Sequence, residues 1–228
     1  MEPLPMELKS ALATLARFFI ICNFLADSVH LLHDWDLERT LLNLNWRCGE
    51  VYANLYLSCI VAGQLLACFM VIFDSNRQVA AGILSLLANL RVASNPMFWN
   101  MEMYADVFAL VIAILLATIP PHRLVRCGFL FVAYLTYKNL NDGLPWQLLH
   151  RYGVKLLIIF VLSGYRLKWS TAMLLLLLAT QSFQAYAWWE LPYSLTNMPI
   201  IFYKRFQFWQ MVSILGGVLM TAVHTQEF

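Results

Sequence analysis

From Leu12 to Val223 the sequence is a succession of apolar runs separated by short polar turns. A helix needs about 20 residues to cross a typical bilayer, with a range of roughly 17 to 25. On that ruler eight runs stand out: Leu12–Leu32, Val51–Phe73, Val79–Ala93, Met103–Ile119, Cys127–Leu140, Leu148–Gly164, Ser170–Trp188 and Phe202–Val223. The third and fifth are short and carry Arg91 and Lys138 near their ends, so seven crossings is the alternative count. The expected fold is all-α: a polytopic transmembrane helical bundle of about eight spans, forming one integral membrane domain over residues 1–228.

Composition agrees. Hydrophobic residues make up 61% of the 228 and charged residues 12%, well beyond an ordinary soluble domain. The net charge of +2 is spread thinly, with no basic block of the kind that grips nucleic acid, so nucleic-acid binding is set aside. The opening "MEPLPMELKSA" has no basic region followed by a small-residue cleavage site, and the first apolar run is expected to stay as a signal anchor. Cys22, Cys48, Cys59, Cys68 and Cys127 are scattered singly, without CxxC or zinc spacing. No Gly-rich phosphate loop, HExxH, GxSxG or nucleophile grouping is present, so neither an enzyme nor a cofactor is expected.

With the amino terminus cytosolic, that side carries Lys9, Arg17, Arg77, Arg123, Arg126, Arg166 and Lys168, seven basic residues against four acidic ones. The opposite side has eight basic and nine acidic residues. Lys and Arg alone barely separate the faces, but the tight basic turns "PPHRLVR" and "GYRLKW" favour this orientation, which puts both termini in the cytosol. The longer, Trp- and Asn-rich connections, among them "HDWDLERTLLNLNWRCGE", then lie on the lumenal face, where function is expected. Trp46, Trp99, Trp146, Trp188 and Trp189 mark the same ends of the spans, as an aromatic belt would. "MYADVFALVIAILLATI" echoes "FQFWQMVSILGGVLMTAV", and an even number of spans per half allows a parallel four-plus-four repeat with halves 8–119 and 124–223.

Polar residues inside the spans are the candidates for function. A carboxylate in a helix centre costs roughly 2.5 to 3.5 kcal/mol on insertion scales, and such residues face a bundle interior or a wet cavity. Asp27 sits about five residues from the lumenal end of its run, roughly 8 Å at 1.5 Å per residue, too far for its side chain to snorkel. Asp27, His30 and Asp34 fall at i, i+3 and i+7 on one helix face. Three readings are open: a structural network between helices, an acidic mouth for a positively charged group such as a peptide amino terminus, or a metal site, for which no second His or Cys cluster supplies ligands. Glu102 and Asp106 form a second acidic pair, which either contacts cations such as Arg91 or Arg205 or lies in interfacial water. Gln64 and the small pair Gly63/Ala67 suggest a close helix contact.

The run "LARFFIICNFLADSVHLLHDW", then "NWRCGEVYANLYLSCIVAGQLLACFMVIF", and finally "AYAWWELPY" and "FQFWQMVSILGGVLM", resembles the surfeit locus protein 4 family of endoplasmic-reticulum cargo receptors. The likeness runs in order from about Leu15 to Met220 and includes the Asn45-Trp46-Arg47-Cys48-Gly49 block and Ser213-Ile214-Leu215-Gly216-Gly217. The resemblance implies a multi-pass protein of the endoplasmic reticulum, the ER-Golgi intermediate compartment or the Golgi. Its implied partners are soluble lumenal cargo, the COPII coat machinery, membrane lipids and a homo- or hetero-oligomeric copy.

On that reading Asp27 and Asp34, with His30, Glu102 and Asp106 beside them, form the cargo mouth, receiving a cationic or amide-rich cargo end. His30 adds a titratable group and with it pH-dependent release. Where the family typically has Glu-Asp-Gly-x-Arg, this chain has Ala26, Asp27, Ser28, Val29 and His30. The fourth run opens with Asn100, Glu102 and Asp106 where relatives tend to have an acid and then basic residues. No lysine follows Lys204, unlike the lysine-rich tail of the family, which implies a divergent paralogue. Phospholipid scrambling along Asp27, His30 and Gln64 is the alternative function, and a membrane oxidoreductase of the DoxX-like kind is a third.

Overall fold

The computed structural model describes residues 6–73, 75–94, 96, 99, 104, 107, 110–111, 145–163, 167–192 and 198–225. Within them the chain is helical: α1 (Met6–His33), α2 (Trp35–Trp46), α3 (Glu50–Ile72), α4 (Arg77–Ser94), α5 (Pro145–Ser163), α6 (Leu167–Ala185), a short 3₁₀ turn (Trp188–Glu190) and α7 (Met198–Thr225). Six helices coincide with expected spans, each shifted by a few residues at its ends. Among the described residues two stretches are long and apolar enough to cross a membrane by length and composition, Glu7–His33 and Glu50–Ile72. The expected fifth run and most of the fourth, with Glu102 and Asp106, lie outside the described residues.

The expected lumenal loop after the first run is instead the helix α2. Hydropathy passes over it because its leucines alternate with Asp36, Glu38 and Arg39. The chain bends at Asp34 alone, whose N–H donates to the His30 carbonyl at 2.9 Å while its own carbonyl accepts from the Glu38 N–H at 3.0 Å. Asp34 occupies an N-cap position without making the usual cap bond, because its carboxylate turns to His30 and His33 instead. At the other end Arg47 adopts the left-handed conformation (φ 48°), and Gly49 follows at φ 85°, where a side chain would be strained. The Gly49 N–H closes the turn onto Asn43 Oδ1 at 2.8 Å.

Helix α3 buries one face, Ala53, Leu57, Ile60, Gln64, Ala67 and Val71, and leaves Val51, Leu55, Leu66, Phe69 and Phe73 exposed on the other. An apolar exterior of that extent suits lipid and would be a liability in water. Gly63 packs against Leu87 of α4 and Ala67 is fully buried, which confirms the close contact expected there.

Among the described residues α7 is the central helix. One side joins Met211, Ile214, Leu215 and Val218 to Val154, Ile158, Leu174 and Leu178 of α5 and α6. The other lies antiparallel against α1: Gly216 meets Ala16 and Ile20, and Phe202 meets His30. At Gly216 the two backbones come so close that an added Cβ would sit 2.7 Å from the Ala16 carbonyl oxygen. Glycine there sets the spacing of the two longest helices among the described residues.

Candidate functional site

Where α1 ends, four helices bring ionisable and amide side chains into one cluster. Asp27 stands on α1 with its carboxylate facing α3 and α4: Gln64 Nε2 donates to Asp27 Oδ2 at 2.9 Å, and Arg91 Nε lies 3.5 Å from Oδ1. Ser28, fully buried beside it, donates to Gln64 Oε1 at 2.7 Å and so fixes which way the amide points. Arg91, only 6% exposed, donates through Nη1 to Glu38 Oε2 of α2 at 3.0 Å. Its side chain thus ties α4 to both α1 and α2.

His30 completes the ring. Its Nδ1 is 2.8 Å from Asp34 Oδ2 and its Nε2 is 3.6 Å from Glu38 Oε1. The imidazole stacks at a tilt on Phe202 of α7, centroids 5.2 Å apart, and Arg205 covers that same ring. Asp34 also receives the exposed His33, Nδ1 to Oδ1 at 2.8 Å. Partial burial pushes the Asp34 carboxyl up, but the His33 hydrogen bond and the positive charges of His30, His33 and Arg205 outweigh it and hold the group below the usual carboxylate value.

Two hollows flank Arg91. The first, between α1, α3 and α4, is lined by Asn23, Asp27, Gln64 and Arg91 and has room for about one water. The second, about 110 Å³, lies between α2, α3 and α4 with Glu38, Arg91, Asn45 and Ser94 on its polar side and Leu41, Leu42 and Leu57 as walls. Its rim is pinned by tryptophans: Trp46 Nε1 donates to the Ser94 carbonyl at 2.8 Å, Trp99 Nε1 to the Ala93 carbonyl at 3.3 Å, and the two rings pack edge to face. Those carbonyls belong to the last turn of α4, which has no intrahelical donor for them.

Asp27, His30 and Asp34 therefore meet on one face as expected, while Glu102 and Asp106 fall outside the described residues. Sequence reasoning missed Glu38 and assigned Arg91 elsewhere. The signal for Glu38 was present: Asp27, His30, Asp34 and Glu38 stand at i, i+3, i+7 and i+11, one stripe on a helix that bends only at Asp34. Among the described residues no three His, Cys, Asp or Glu side chains group as metal ligands would.

The profile of the SURF4 family matches residues 2–123 and 123–226. A surfeit locus protein 4 homologue from Drosophila melanogaster is 25% identical, over 93% of this chain and 85% of its own length. The homologue from Schizosaccharomyces pombe is 22% identical, over 90% of this chain and 75% of its own. The ER-derived vesicles protein ERV29 of Saccharomyces cerevisiae is 20% identical, over 94% of this chain and 74% of its own. No solved structure matches the chain.

Proposed function

The chain belongs to the SURF4 family, and from that membership we propose that it is a membrane receptor that loads soluble lumenal proteins into vesicles leaving the endoplasmic reticulum for the Golgi. Support comes from a relative that is named for such vesicles and matches nearly the full chain. The observation that carries the reading is the buried charge cluster of Asp27, Glu38 and Arg91 beside an open recess, in a bundle whose outer face is apolar. Charges so placed are costly in a membrane protein and concentrate where a ligand or a moving element meets the bundle. In this proposal eight helices cross the bilayer as two parallel halves, both termini are cytosolic, and cargo engages the lumenal face that Asp27, His30 and Asp34 share with Glu38 and Arg91. The coat machinery then meets the cytosolic turns, and no step is enzymatic.

Quantitative proteomics of secreted and retained lumenal proteins after depletion tests this. A defined set held inside the cell, released by wild-type rescue and held back with Asp27→Asn, is the expected result. An unchanged secretome would overturn it and direct attention to phospholipid movement in liposomes made with the purified protein.

A further inference from the structure

Helix α2 carries three stripes of side chains, and each suits a different neighbour. Leu37, Leu41 and Leu44 stand at i, i+4 and i+7; Glu38, Leu42 and Asn45 repeat that spacing one residue on; Asp36, Arg39 and Asn43 take a third side. At roughly 3.6 residues per turn the three stripes lie about a third of a turn apart. The Glu38 stripe faces the bundle, where it lines the recess with Arg91 and Leu57. The Asp36 stripe is polar and turned to water: Asp36 and Arg39 pair with each other at 3.1 Å, and the Asp36 side chain is almost fully exposed. The leucine stripe is exposed too, at 47%, 40% and 70% in chain order, with Leu41 also touching the rim of the recess.

Exposed leucines in a row are a liability in water, and the place of α2 in the chain decides what covers them. The helix fills the link between the two stretches long and apolar enough to cross a membrane, Glu7–His33 and Glu50–Ile72, with only Asp34 before it and Arg47, Cys48 and Gly49 after. Both its ends are therefore held at one bilayer surface. Its 12 residues reach about 18 Å, too short to cross. Trp46 at its end is half-exposed and packs edge to face on the half-exposed Trp99, the residue type that settles at headgroup level. Past the turn the apolar exterior continues with Val51, Tyr52 and Leu55 of α3.

We propose that α2 lies along the headgroup layer of the bilayer, with its leucine stripe sunk to the acyl boundary, its Asp36 stripe in water and its Glu38 stripe against the bundle. The partner of this surface is lipid, and a zwitterionic headgroup suffices: α2 carries Asp36 and Glu38 against Arg39 alone, which is already paired, so no basic face reaches for anionic lipid. The bilayer supplies the apolar burial that the bundle does not give α2. The wall of the recess that bears Glu38 can then part from Arg91 without leaving the membrane. This rests on α1 and α3 crossing the bilayer as in the function proposed above, whose orientation makes the leaflet the lumenal one.

Two labels applied to the wild-type full chain in nanodiscs test this without any substitution. Phosphatidylcholine with a photoreactive diazirine on its acyl chain marks side chains that touch the acyl region, hydroxyl radicals mark those that face water, and peptide mass spectrometry locates both. Acyl adducts on Leu37, Leu41 and Leu44, with loss of oxidation there, are the expected result. Arg39 should show the converse, and Asp36 no adduct. Val51 and Leu55, exposed on α3, are the internal standard for lipid contact. Replacing part of the lipid with phosphatidylserine should leave the pattern unchanged.

Adducts on Val51 and Leu55 with none on the α2 leucines would overturn this proposal alone. Oxidised leucines would then mark a helix in open water, and leucines protected from both labels a second protein surface. Adducts on Asp36 and Arg39 as strong as those on the leucines, or adducts that require phosphatidylserine, would also overturn it. No adduct on either helix would defeat it together with the reading of the chain as a membrane bundle. The assay contains no cargo, so the expected pattern beside an unchanged secretome would defeat the cargo reading alone.

Discussion

Gly216→Ala should destabilise the bundle although alanine is the better helix former. A Cβ at position 216 would stand 2.7 Å from the Ala16 oxygen, 2.7 Å from the Ile20 nitrogen and 2.8 Å from the Phe19 Cβ. Carbon contacts settle at roughly 3.5–4.0 Å, so α1 and α7 must part by about 0.8 Å or more at this level. The obstacles are mostly backbone, so no side chain can swing aside. A gap of 0.5–1 Å forfeits about a quarter to a half of the dispersion well at each contact it opens. Such overpacking costs about 1–3 kcal/mol, against about 1 kcal/mol returned by helix propensity. With three atoms under 3.0 Å the upper part of that range applies, about 2–3 kcal/mol, so the net is a loss of about 1–2 kcal/mol, a fall of roughly 2–8 °C in the unfolding midpoint.

Gly63→Ala is the matched control. The nearest obstacle there is the Cδ1 of Leu87 at 3.0 Å, the far end of a flexible side chain, so propensity should offset the contact and leave the midpoint near wild type. Thermal unfolding of both variants in the same nanodisc decides it. A Gly216→Ala protein as stable as wild type, or less affected than Gly63→Ala, would refute the view that glycine sets the α1–α7 spacing.

Arg91→Met leaves Asp27 and Glu38 buried without their cation and should cost about 3–5 kcal/mol, most of it recovered when Asp27→Asn and Glu38→Gln are added; chemical denaturation of the single and triple variants checks this. His30 faces Asp34 and Glu38 of the α2 side, Asp27 on its own helix, and Arg205 and Phe202 of α7. Protonation draws α2 onto α1 through both carboxylates, so cargo release in a reconstituted assay should quicken as pH falls, and His30→Gln should abolish that dependence. The Asp34 carboxyl is held below its ordinary 3.8. Its contribution to stability is therefore complete above that value and lost as pH falls through the lower folded value, so Asp34→Asn should flatten the acid end of a stability-against-pH curve.

Hydropathy made α1, α3 and α7 legible because their apolar runs are long and carry few charges. It failed at α2, where the helix turns a charge inward and leucines outward: Glu38 is buried while Leu37, Leu41 and Leu44 are exposed. That inversion makes sense only beside a buried cation and an apolar exterior, neither of which a loop-by-loop reading supplies. The Trp46 and Gly49 of the block that carried the family resemblance have local reasons: Gly49 takes a positive φ, and Trp46 caps α4. Spacing along one helix foretold the Asp27, His30 and Asp34 face, but pairing across helices decided what that face can do.

The same pairing explains how α2 can close over a polar recess without covering it with a core. Glu38 is its only buried residue, and what holds it down is an ion pair to Arg91, a contact to His30, and the indole bonds of Trp35 to Asn54 and Trp46 to Ser94. A helix attached by a few polar contacts, with little apolar area buried, is the kind of element that detaches locally at low cost. Of those contacts, the one to His30 runs through a group that changes when the imidazole gains a proton. Protonated His30 recruits Glu38 and Asp34 and tightens α2. Acid thus acts on α2 through one carboxylate, because Glu38 stands between a fixed cation and a titratable one.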